Sequence, residues 1–492
     1  MIDIVVNGQA LDFGRSDNFT LERWNPLLDT NTIRGNRILD FEIPQTPGNN
    51  RVFGNVNNPQ VGLRRELLPC ALRQAQGGVV ERGFLQLKQI LKYNYVVTYT
   101  AGFGEMFGEW TDKKLNELDL GSEAVPGVFV ADPVVGTAKY CWPKMKNEAF
   151  YGQNGFSGYM NNYVSGSYTG TPMVPMLFVT KVLELIGTLT GVTFGGTFMS
   201  DATIKRLILP NTASLDGLTT ISYARHLPEL TVREFVLGLA NTFNVALWLN
   251  AERKTVTMDL ADGWYVPGFG SAGFGSAQPP VMDWSRKFGR LVERVPLAKN
   301  RLQLEWTKDG NDGLLKEVEV TYLAPPAPGG GAGPLTSGGG TDVWNVKSPF
   351  FGVLMEGGLP VMSMEGVSEN YNQLSKKFGA RLAFWNGLSP LAPGGGTTYP
   401  VASDSYGGKY LRLRSDTGQD IRSGYWVNFE RFLSKTYSVV GRTVLNSYEL
   451  SLLDMHKRKG EVTQVYAQGA YYMIGHQRIQ KNGEWSGELW RV

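Results

Sequence analysis

Cysteine is almost absent from this chain, whose 492 residues include only Cys70 and Cys141. Neither cysteine belongs to a CxxC motif or lies near paired histidines. The sequence therefore predicts neither a disulfide framework nor a cysteine-based metal site. This usage is typical of a protein made in a reducing compartment, and we expect synthesis in the cytoplasm.

Long apolar runs and an excess of charge of one sign are also missing. No window offers 18 consecutive apolar residues, so no membrane span is expected. The opening MIDIVVNGQALDF lacks a basic stretch followed by an apolar one, so no secretory signal is expected. Lys and Arg number 48 against 45 Asp and Glu, a net charge of +3. This balance argues against nucleic-acid binding, which usually requires a basic excess.

The common catalytic motifs are absent as well. The chain contains no GxxxxGK[ST] phosphate loop, no HExxH zinc motif and no GxSxG nucleophile elbow. Gly268, Gly270 and Gly273 do spell GxGxxG. However, Pro279 and Pro280 follow them where a dinucleotide site needs a helix, so we expect no phosphate loop there.

Histidines are few, and no two of them have the spacing of metal ligands. We expect structural or surface roles for His226, His456 and His476. Asp416 and Asp420 resemble the carboxylate pair of a glycosidase, but 45 acidic residues produce such pairs by chance. The sequence thus predicts no catalytic, cofactor-binding or metal-ligating residue, and no enzymatic activity.

Glycine and aromatic residues are plentiful instead, with 60 Gly, 24 Phe, 21 Tyr and 12 Trp. Aromatic residues favour strands and glycine favours turns, so the composition predicts a β-rich, multidomain protein. Asn7-Gly8 between Ile2–Val6 and Ala10–Phe13 predicts a hairpin. Further strands are predicted at Ile38–Ile43, Val79–Leu87 and Tyr93–Thr100. We expect these strands, within residues 1–135, to form a barrel or a sandwich.

The pattern changes in the middle of the chain, residues 136–265, where helices are predicted. Apolar residues at helical spacing predict a helix within Pro175–Leu189. Thr231 and Glu234 have the spacing of a capping box, which begins a helix that Asn244 can end. A hairpin is predicted to follow, with strands Val245–Leu249 and Thr255–Leu260.

The last region, residues 266–492, combines strands with stretches rich in Gly and Pro. These stretches, which we expect to be exposed loops, are Pro267–Pro280, Ala324–Asp342 and Ser389–Pro400. A helix is predicted over Ser368–Trp385. Strands are predicted at Tyr437–Leu453, Val462–Tyr466, Tyr471–Ile474 and Trp485–Val492.

Tyrosines are concentrated in the segment GFSGYMNNYVSGSYTG, which contains Tyr159, Tyr163 and Tyr168. Ordinary stacking on a sheet explains such a cluster. A face that binds carbohydrate or a partner protein is the alternative, because tyrosine is enriched in interfaces. Both interpretations stay open.

Three segments resemble the tail hub (baseplate hub) proteins of long-tailed bacteriophages. In Phe19–Asn57 a strand ends in a turn of the pattern IPxTPxNxRxFG, at residues 43–54. A strand of the GFLQL type then follows at Gly83–Leu87. Leu227–Leu260 is similar to the helix and hairpin of such hubs, and Ser447–Trp485 resembles their terminal barrel strands.

This resemblance implies a β-rich α+β fold, with two β-barrel-like domains flanking an α/β middle region. The N-terminal barrel-like domain would comprise residues 1–135 and the helix-and-hairpin region residues 136–265. The C-terminal barrel-like domain would comprise residues 266–492, with insertions at about 324–342 and 389–400. The resemblance also implies a homotrimeric ring, in which two barrels per subunit give six similar units.

A hub of this kind is a structural protein of the virion, located at the tail tip. The resemblance implies contacts with the tail tube or distal tail protein, and with a central spike, fibre or tape-measure protein. DNA or tape-measure protein would pass through the lumen without specific recognition. No cofactor is implied.

Other functions stay open. The chain is alternatively a distal tail protein or a receptor-binding adaptor of the tail tip. A tail-borne glycan depolymerase is a candidate from a different class. A secretion-ring module shares the helix-then-hairpin order of Leu230–Leu260, although the lack of a secretory signal argues against it.

Overall fold

The computed structural model of the chain describes residues 2–14, 18–62, 66–74, 79–152, 156–170, 172–251, 253–266, 281–288, 294–325, 342–367, 377–391, 396–413, 418–458 and 464–492. Contacts divide the chain into two units. The first unit comprises Met1–Gly108, Ala246–Asn300 and Arg431–Val492, and the second Glu109–Val245 and Arg301–Glu430. The sequence, in comparison, predicts domain boundaries after residues 135 and 265.

Strands account for most of the regular structure. The strands of the first half of the chain are β1 Ile2–Val6, β2 Gln9–Ala10, β3 Thr20–Arg23, β4 Asn36–Pro44, β5 Leu67–Gln74, β6 Val79–Ile90, β7 Asn94–Ala101, β8 Ser122–Ala124, β9 Tyr140–Cys141, β10 Met145–Lys146, β11 Tyr159–Met160, β12 Tyr163–Val164, β13 Ser167–Tyr168, β14 Met176–Phe178, β15 Thr193–Gly195, β16 Leu207–Leu209 and β17 Thr220–Ser222. The remaining strands are β18 Val245–Asn250, β19 Thr255–Leu260, β20 Val281–Asp283, β21 Val295–Pro296, β22 Arg301–Trp306, β23 Thr321–Leu323, β24 Val343–Ser348, β25 Phe351–Gly352, β26 Leu354–Glu356, β27 Leu359–Val361, β28 Arg381–Pro390, β29 Thr398–Ser403, β30 Ser405–Tyr406, β31 Lys409–Tyr410, β32 Tyr437–Val444, β33 Gln464–Ala467, β34 Ala470–Gln480 and β35 Glu484–Arg491.

The described α-helices are fewer than the strands. They are α1 Pro47–Val52, α2 Phe103–Phe107, α3 Val179–Thr190, α4 Thr197–Ser200, α5 Val232–Phe243, α6 Ile421–Tyr425, α7 Val427–Lys435 and α8 Ser447–Arg458. Within the described ranges, no helix has both the length and the apolar character needed to cross a membrane. The predicted β-rich character is confirmed.

One large sheet organises the first unit. Its strands follow the order β2-β1-β5-β6-β7-β4-β3-β34-β35-β32-β21, and β33 and β20 extend it beside β34. The predicted hairpin is confirmed at its start, since Asn7 and Gly8 have φ angles of 48° and 82° between β1 and β2. These positive φ values suit Asn and Gly in a two-residue turn.

The two ends of the chain meet in this sheet. β3 pairs antiparallel with β34, so that Leu21 lies opposite Ile479. Two backbone hydrogen bonds extend the junction: the Ile2 N–H donates to the Lys481 carbonyl at 2.8 Å, and the Lys481 N–H donates to the Phe19 carbonyl at 3.1 Å. One hydrophobic core therefore contains residues from both chain ends.

Aromatic rings fill the C-terminal part of this core. The ring centroids of Trp284 and Trp485 lie 5.0 Å apart, and the Phe288 ring lies 5.5 Å from that of Trp284. Gly441 of β32 passes directly beneath them. A Cβ atom at this position would lie 2.7 Å from the Phe288 ring, so the packing requires glycine.

A buried ion pair links three strands of the same sheet. Arg23 Nε of β3 lies 3.1 Å from Glu81 Oε2 of β6, and both side chains are almost fully buried. The Asn36 side-chain amide of β4 donates a hydrogen bond to the other Glu81 oxygen. Buried charges are tolerated when they are paired and hydrogen-bonded, as they are here.

Barrel closure is not confirmed. Among the described strands, no sheet closes on itself, because the large sheet ends at β2 and β21, which do not pair with each other. Both end strands have only two residues. The strands predicted from alternating residues are therefore present, but the alternation does not decide whether the two edge strands of the sheet pair with each other.

The second unit contains several smaller sheets and helices. Its largest sheet has the order β25-β28-β16-β14-β9, with β29 beside β28, and α3 packs on β14 and β16. The predicted capping box at the start of α5 is confirmed by reciprocal hydrogen bonds between Thr231 and Glu234. Asn244 ends the helix in the left-handed conformation, also as predicted.

The helix predicted over Ser368–Trp385 is wrong in its C-terminal part. Residues 368–376 lie outside the described residues, whereas Arg381–Pro390 forms β28. Ala383, Phe384 and Trp385 are completely buried. A strand that is buried on both faces has a continuous apolar run without alternation. Leu382 and the apolar residues before it also have helical spacing, so the sequence pattern does not distinguish such a strand from a helix.

The strand predicted over Tyr437–Leu453 is correct only as far as Val444. From Ser447 onward the chain forms α8, because Asn446 and Glu449 make a second capping box, with both hydrogen bonds 2.9 Å long. The spacing of these two residues was the signal for a helix start. The strands predicted near 462–466, 471–474 and 485–492 are confirmed as β33, β34 and β35.

The Gly/Pro-rich stretches fall largely outside the described residues. All of Pro267–Pro280, which includes the GxGxxG glycines, and residues 326–341 are in this group. Ser389–Pro400 is described at both ends, which pair as β28 and β29. Those ends are strands rather than loop, so the exposed connection predicted there is shorter than expected.

We expect the Arg23–Glu81 pair to be strongly context-dependent. Glu81→Gln leaves the Arg23 charge buried without its counter-charge and should lower the free energy of unfolding by roughly 3–5 kcal/mol. The double variant Arg23→Met/Glu81→Leu removes both charges and should be less destabilised than Glu81→Gln. Urea unfolding followed by circular dichroism measures this, with the exposed Lys88→Met as control. A double variant that is destabilised as much as Glu81→Gln, or more, would contradict this expectation.

Candidate functional site

An exposed groove crosses the outer side of the large sheet in the first unit. Directly paired residues in antiparallel strands point to the same side. The register therefore aligns Arg37, Glu22, Arg478, Ser486 and Arg442 across β4, β3, β34, β35 and β32. We call this row and the space above it the outer groove.

The outer groove consists of two adjoining depressions. The larger, of about 760 Å³, lies over β32, β34 and β35 and is lined by Val440, Arg442 and Val444 among others. The smaller, of about 400 Å³, is lined by Trp24 and Arg34. His476, Arg478 and Glu488 border both depressions, so the two are continuous.

Glu22 is the electrostatic centre of the groove. It accepts hydrogen bonds from Arg37 Nε at 3.0 Å and from Arg478 Nε at 3.2 Å. Burial acts to raise the pKa of Glu22, but the hydrogen bonds and charges of these arginines outweigh it, and the pKa is lowered. Glu22 is therefore ionised at neutral pH and orders the two guanidinium groups.

An indole–imidazole stack forms the floor of the smaller depression. The rings of Trp24 and His476 are stacked, with centroids 5.1 Å apart. The Arg37 guanidinium lies 4.9 Å from the indole centroid, and that of Arg34 lies 6.0 Å away. Burial lowers the pKa of His476, partly offset by Glu22, so the imidazole is neutral at pH 7. The contacts of Arg37 and Arg34 with the Trp24 indole are cation–π interactions.

This arrangement is suited to binding. Guanidinium groups recognise carboxylates and phosphates through paired N–H donors, and aromatic faces bind planar groups. Among the described residues, no three His, Cys, Asp or Glu side chains are grouped so that they could hold a metal ion. The outer groove is therefore our candidate binding surface.

His226, one of the predicted structural histidines, lies in the second unit and is completely buried. Its Nδ1 is 3.3 Å from the Asn211 side-chain oxygen, while its Nε2 has no hydrogen-bond partner within the structure described. Burial lowers the pKa of His226 to about 3, and the nearby Arg225 adds to this effect. The neutral imidazole is thus part of the core.

The tyrosine segment makes contacts within its own unit. The Tyr163 and Tyr168 rings lie 5.0 Å apart, and the Tyr168 hydroxyl donates to the Trp142 carbonyl at 2.9 Å. The Lys144 ammonium lies 4.6 Å from the Tyr159 ring centroid, and burial lowers the Lys144 pKa. Stacking therefore accounts for this cluster; a role in partner binding stays a prediction.

Of the remaining candidates, Asp420, His456 and the two cysteines lie in described segments. Asp420 caps α6 by accepting a hydrogen bond from the Ser423 N–H at 2.9 Å, and Asp416 lies outside the described residues. His456 is in α8. Cys70 and Cys141 are both buried free thiols.

Sequence reasoning did not single out the groove residues Trp24, Arg34 and Arg37. They lie within the segment whose resemblance to tail hubs was recognised, so the region was identified but not its surface. The row from Arg37 to Arg442 depends on strand register between the chain ends, which no local pattern encodes.

No family model matches the chain, and no curated protein sequence matches it. Among solved structures, the chain is similar to the 43 kDa tail protein of prophage MuSo2 from Shewanella oneidensis. The two are 6% identical with a TM-score of 0.35, and the match covers 100% of this chain and 98% of the other. The similarity is to a phage tail protein and does not specify a position in the tail.

We expect the stabilising effect of Glu22 to depend on pH. Because its folded-state pKa is lowered, its contribution is complete above the unfolded pKa and is lost as the pH falls through the folded pKa. Glu22→Gln should therefore lower the free energy of unfolding by about 1–2 kcal/mol at pH 7. The difference from the parent protein should shrink below about pH 4. Urea unfolding at pH 7 and pH 3 tests this, and an equal difference at both values would contradict it.

His226 should make the protein sensitive to mild acid. The unfolded chain takes up a proton near pH 6.5, whereas folded His226 stays neutral down to about pH 3. This residue alone should lower the free energy of unfolding by up to about 1.4 kcal/mol per pH unit across that interval. His226→Gln should be less stable at pH 7 but show a shallower decline. Urea titrations from pH 7 to pH 4 measure the free energy of unfolding of the parent and of His226→Gln. An equal decline in both proteins would refute this prediction.

Proposed function

We propose that this chain is a structural protein of a phage tail and forms the hub at the tail tip. In this proposal it joins the tail tube to the tip, has no enzymatic activity and needs no cofactor. Three copies assemble as a ring around a lumen. DNA or tape-measure protein passes through that lumen without specific recognition.

The observation that carries the proposal is the pairing of β3 with β34. β3 belongs to the first hub-like segment, Phe19–Asn57, and β34 to the last, Ser447–Trp485. Segments more than 400 residues apart that resemble one family thus form one sheet. The central hub-like segment, Leu227–Leu260, contains a helix followed by two strands, as the resemblance predicts.

The outer groove gives further support. A hub has to bind neighbouring proteins, and arginine and tryptophan are enriched where proteins contact each other. Arg37, Arg478 and Trp24 are held in defined positions by Glu22 and His476. The side chains of such a surface are preorganised for binding a partner.

Assembly tests the proposal directly. The purified full-length chain, alone and mixed with the tail-tube or distal tail protein of the same phage, is examined by analytical ultracentrifugation and electron microscopy. We expect rings of three copies that attach to the end of the tube. A chain that stays monomeric at high concentration and forms no ring with tail proteins would refute the hub.

The same preparation distinguishes the alternatives. Six-membered rings would identify a distal tail protein, and binding of the isolated chain to host cells would identify a receptor-binding adaptor. Release of reducing sugar from host glycans, abolished by a single Asp or Glu substitution, would identify a depolymerase.

A further inference from the structure

One loop of the second unit exposes several apolar side chains. We call residues 125–139, which connect β8 to β9, the valine loop. Its Val128, Val130 and Val134 side chains are 80%, 56% and 70% exposed. Asp132, between the last two valines, is exposed as well. Clustered exposed apolar side chains commonly mark a surface that binds another protein.

Hydrogen bonds hold the base of this loop. Glu123 of β8 accepts hydrogen bonds from the Tyr140 hydroxyl and, at 2.9 Å, from Lys139 Nζ. The Ala138 N–H donates to the Val134 carbonyl at 2.9 Å, which closes a turn. Both ends of the loop are thereby tied to the same side chain.

Aromatic packing holds the middle of the loop. The Phe129 side chain turns inward, and its ring lies 4.8 Å from that of Trp142 and 6.1 Å from that of Tyr168. The valines on either side of Phe129 therefore point outward from an anchored backbone. A loop that is already ordered loses little conformational entropy when it binds.

A surface of matching character lies on the first unit. On the outer side of β32, alternate residues Val440, Arg442 and Val444 face solvent, and the two valines are 58% and 60% exposed. Glu484 and Glu488 line the same depression, but within the part of the chain that the structure describes neither forms an ion pair with Arg442. These residues line the larger depression of the outer groove.

The two surfaces have complementary patterns. The loop presents Val130-x-Asp132-x-Val134, and β32 presents Val440-x-Arg442-x-Val444. In each case two valines flank one charge, and the two charges are opposite. We propose that the valine loop of one copy docks in the larger depression of the outer groove of a second copy. The valines would pack together and Asp132 would pair with Arg442.

This contact is heterologous, because it joins two different surfaces of the same chain. Each copy carries both the valine loop and the groove, so the same contact can repeat from copy to copy around a ring. When the ring closes, every loop and every groove is occupied. The inference rests on the proposed homo-oligomeric hub and names the surfaces that build it. The occupant of the groove is thus a second copy of this chain.

Charge exchange tests the contact in the full-length protein. Asp132→Arg and Arg442→Asp should each weaken self-association about tenfold or more, because each places like charges together. The double variant restores opposite charges and should regain association to within a few-fold of the parent. Dissociation constants come from sedimentation velocity across a concentration series, and circular dichroism verifies that each variant is folded.

Matched controls separate this contact from a general effect of charge. Asp40→Arg and Lys88→Asp make the same types of exchange at exposed residues on other strands of the first unit. Both should leave association unchanged. Equal weakening by the controls, or a double variant as weak as the singles, would overturn the inference.

A disulfide provides an independent test of proximity. A chain with Asp132→Cys is mixed with a chain carrying Arg442→Cys and oxidised. A cross-linked dimer should form in the mixture and not with either variant alone. The native thiols of Cys70 and Cys141 are buried and do not compete. A mixture that assembles but gives no cross-link would overturn the docking.

The outcomes also separate this inference from the proposed function. If the parent chain forms rings and the charge exchanges have no effect, the docking contact is wrong and the hub stands. If the parent forms no ring even with tail proteins, the hub fails and the docking contact fails with it.

Discussion

The pairing of β3 with β34 is the constraint on which the first unit depends. It joins residues 20–23 to residues 477–480, so every strand on either side of it belongs to one sheet. Bringing together segments so distant in sequence has a large entropic cost, which extensive burial in a shared core offsets. Glu22 lies at this junction and connects Arg37 of the N-terminal part with Arg478 of the C-terminal part. The outer groove exists only because this pairing is made.

Paired charges buried inside both units hold elements in fixed positions. Glu81 connects Arg23 and Asn36 in the first unit. In the second unit, buried Arg381 lies 3.2 Å from an oxygen of Asp309 and 2.7 Å from one of Asp312. Such groups have definite hydrogen-bond geometry, which apolar packing lacks, and breaking one partner leaves an uncompensated buried charge.

Local patterns predicted local structure well where a specific signal was present. Asn7-Gly8 predicted the first hairpin, and Thr231 with Glu234 predicted the start of α5. Asn446 with Glu449 carried an equally clear signal for α8, but the apolar residues around it were interpreted as a strand. The helix prediction was wrong at Leu382 to Trp385 for another reason, because a strand that is buried on both faces lacks the polar–apolar alternation that would identify it.

The sequence by itself determined the β-rich class, the positions of several of the longer strands, the resemblance of both ends to tail hubs and the absence of common catalytic motifs. These properties depend on neighbours within about ten residues, where steric and capping preferences act. Tertiary structure alone decided which strands pair, that β2 and β21 do not pair to close the large sheet among the described strands, and which side chains line the outer groove. The alignment of Arg37, Glu22, Arg478 and Arg442 requires a strand register across the whole chain, because a shift of one residue would turn each side chain to the opposite face.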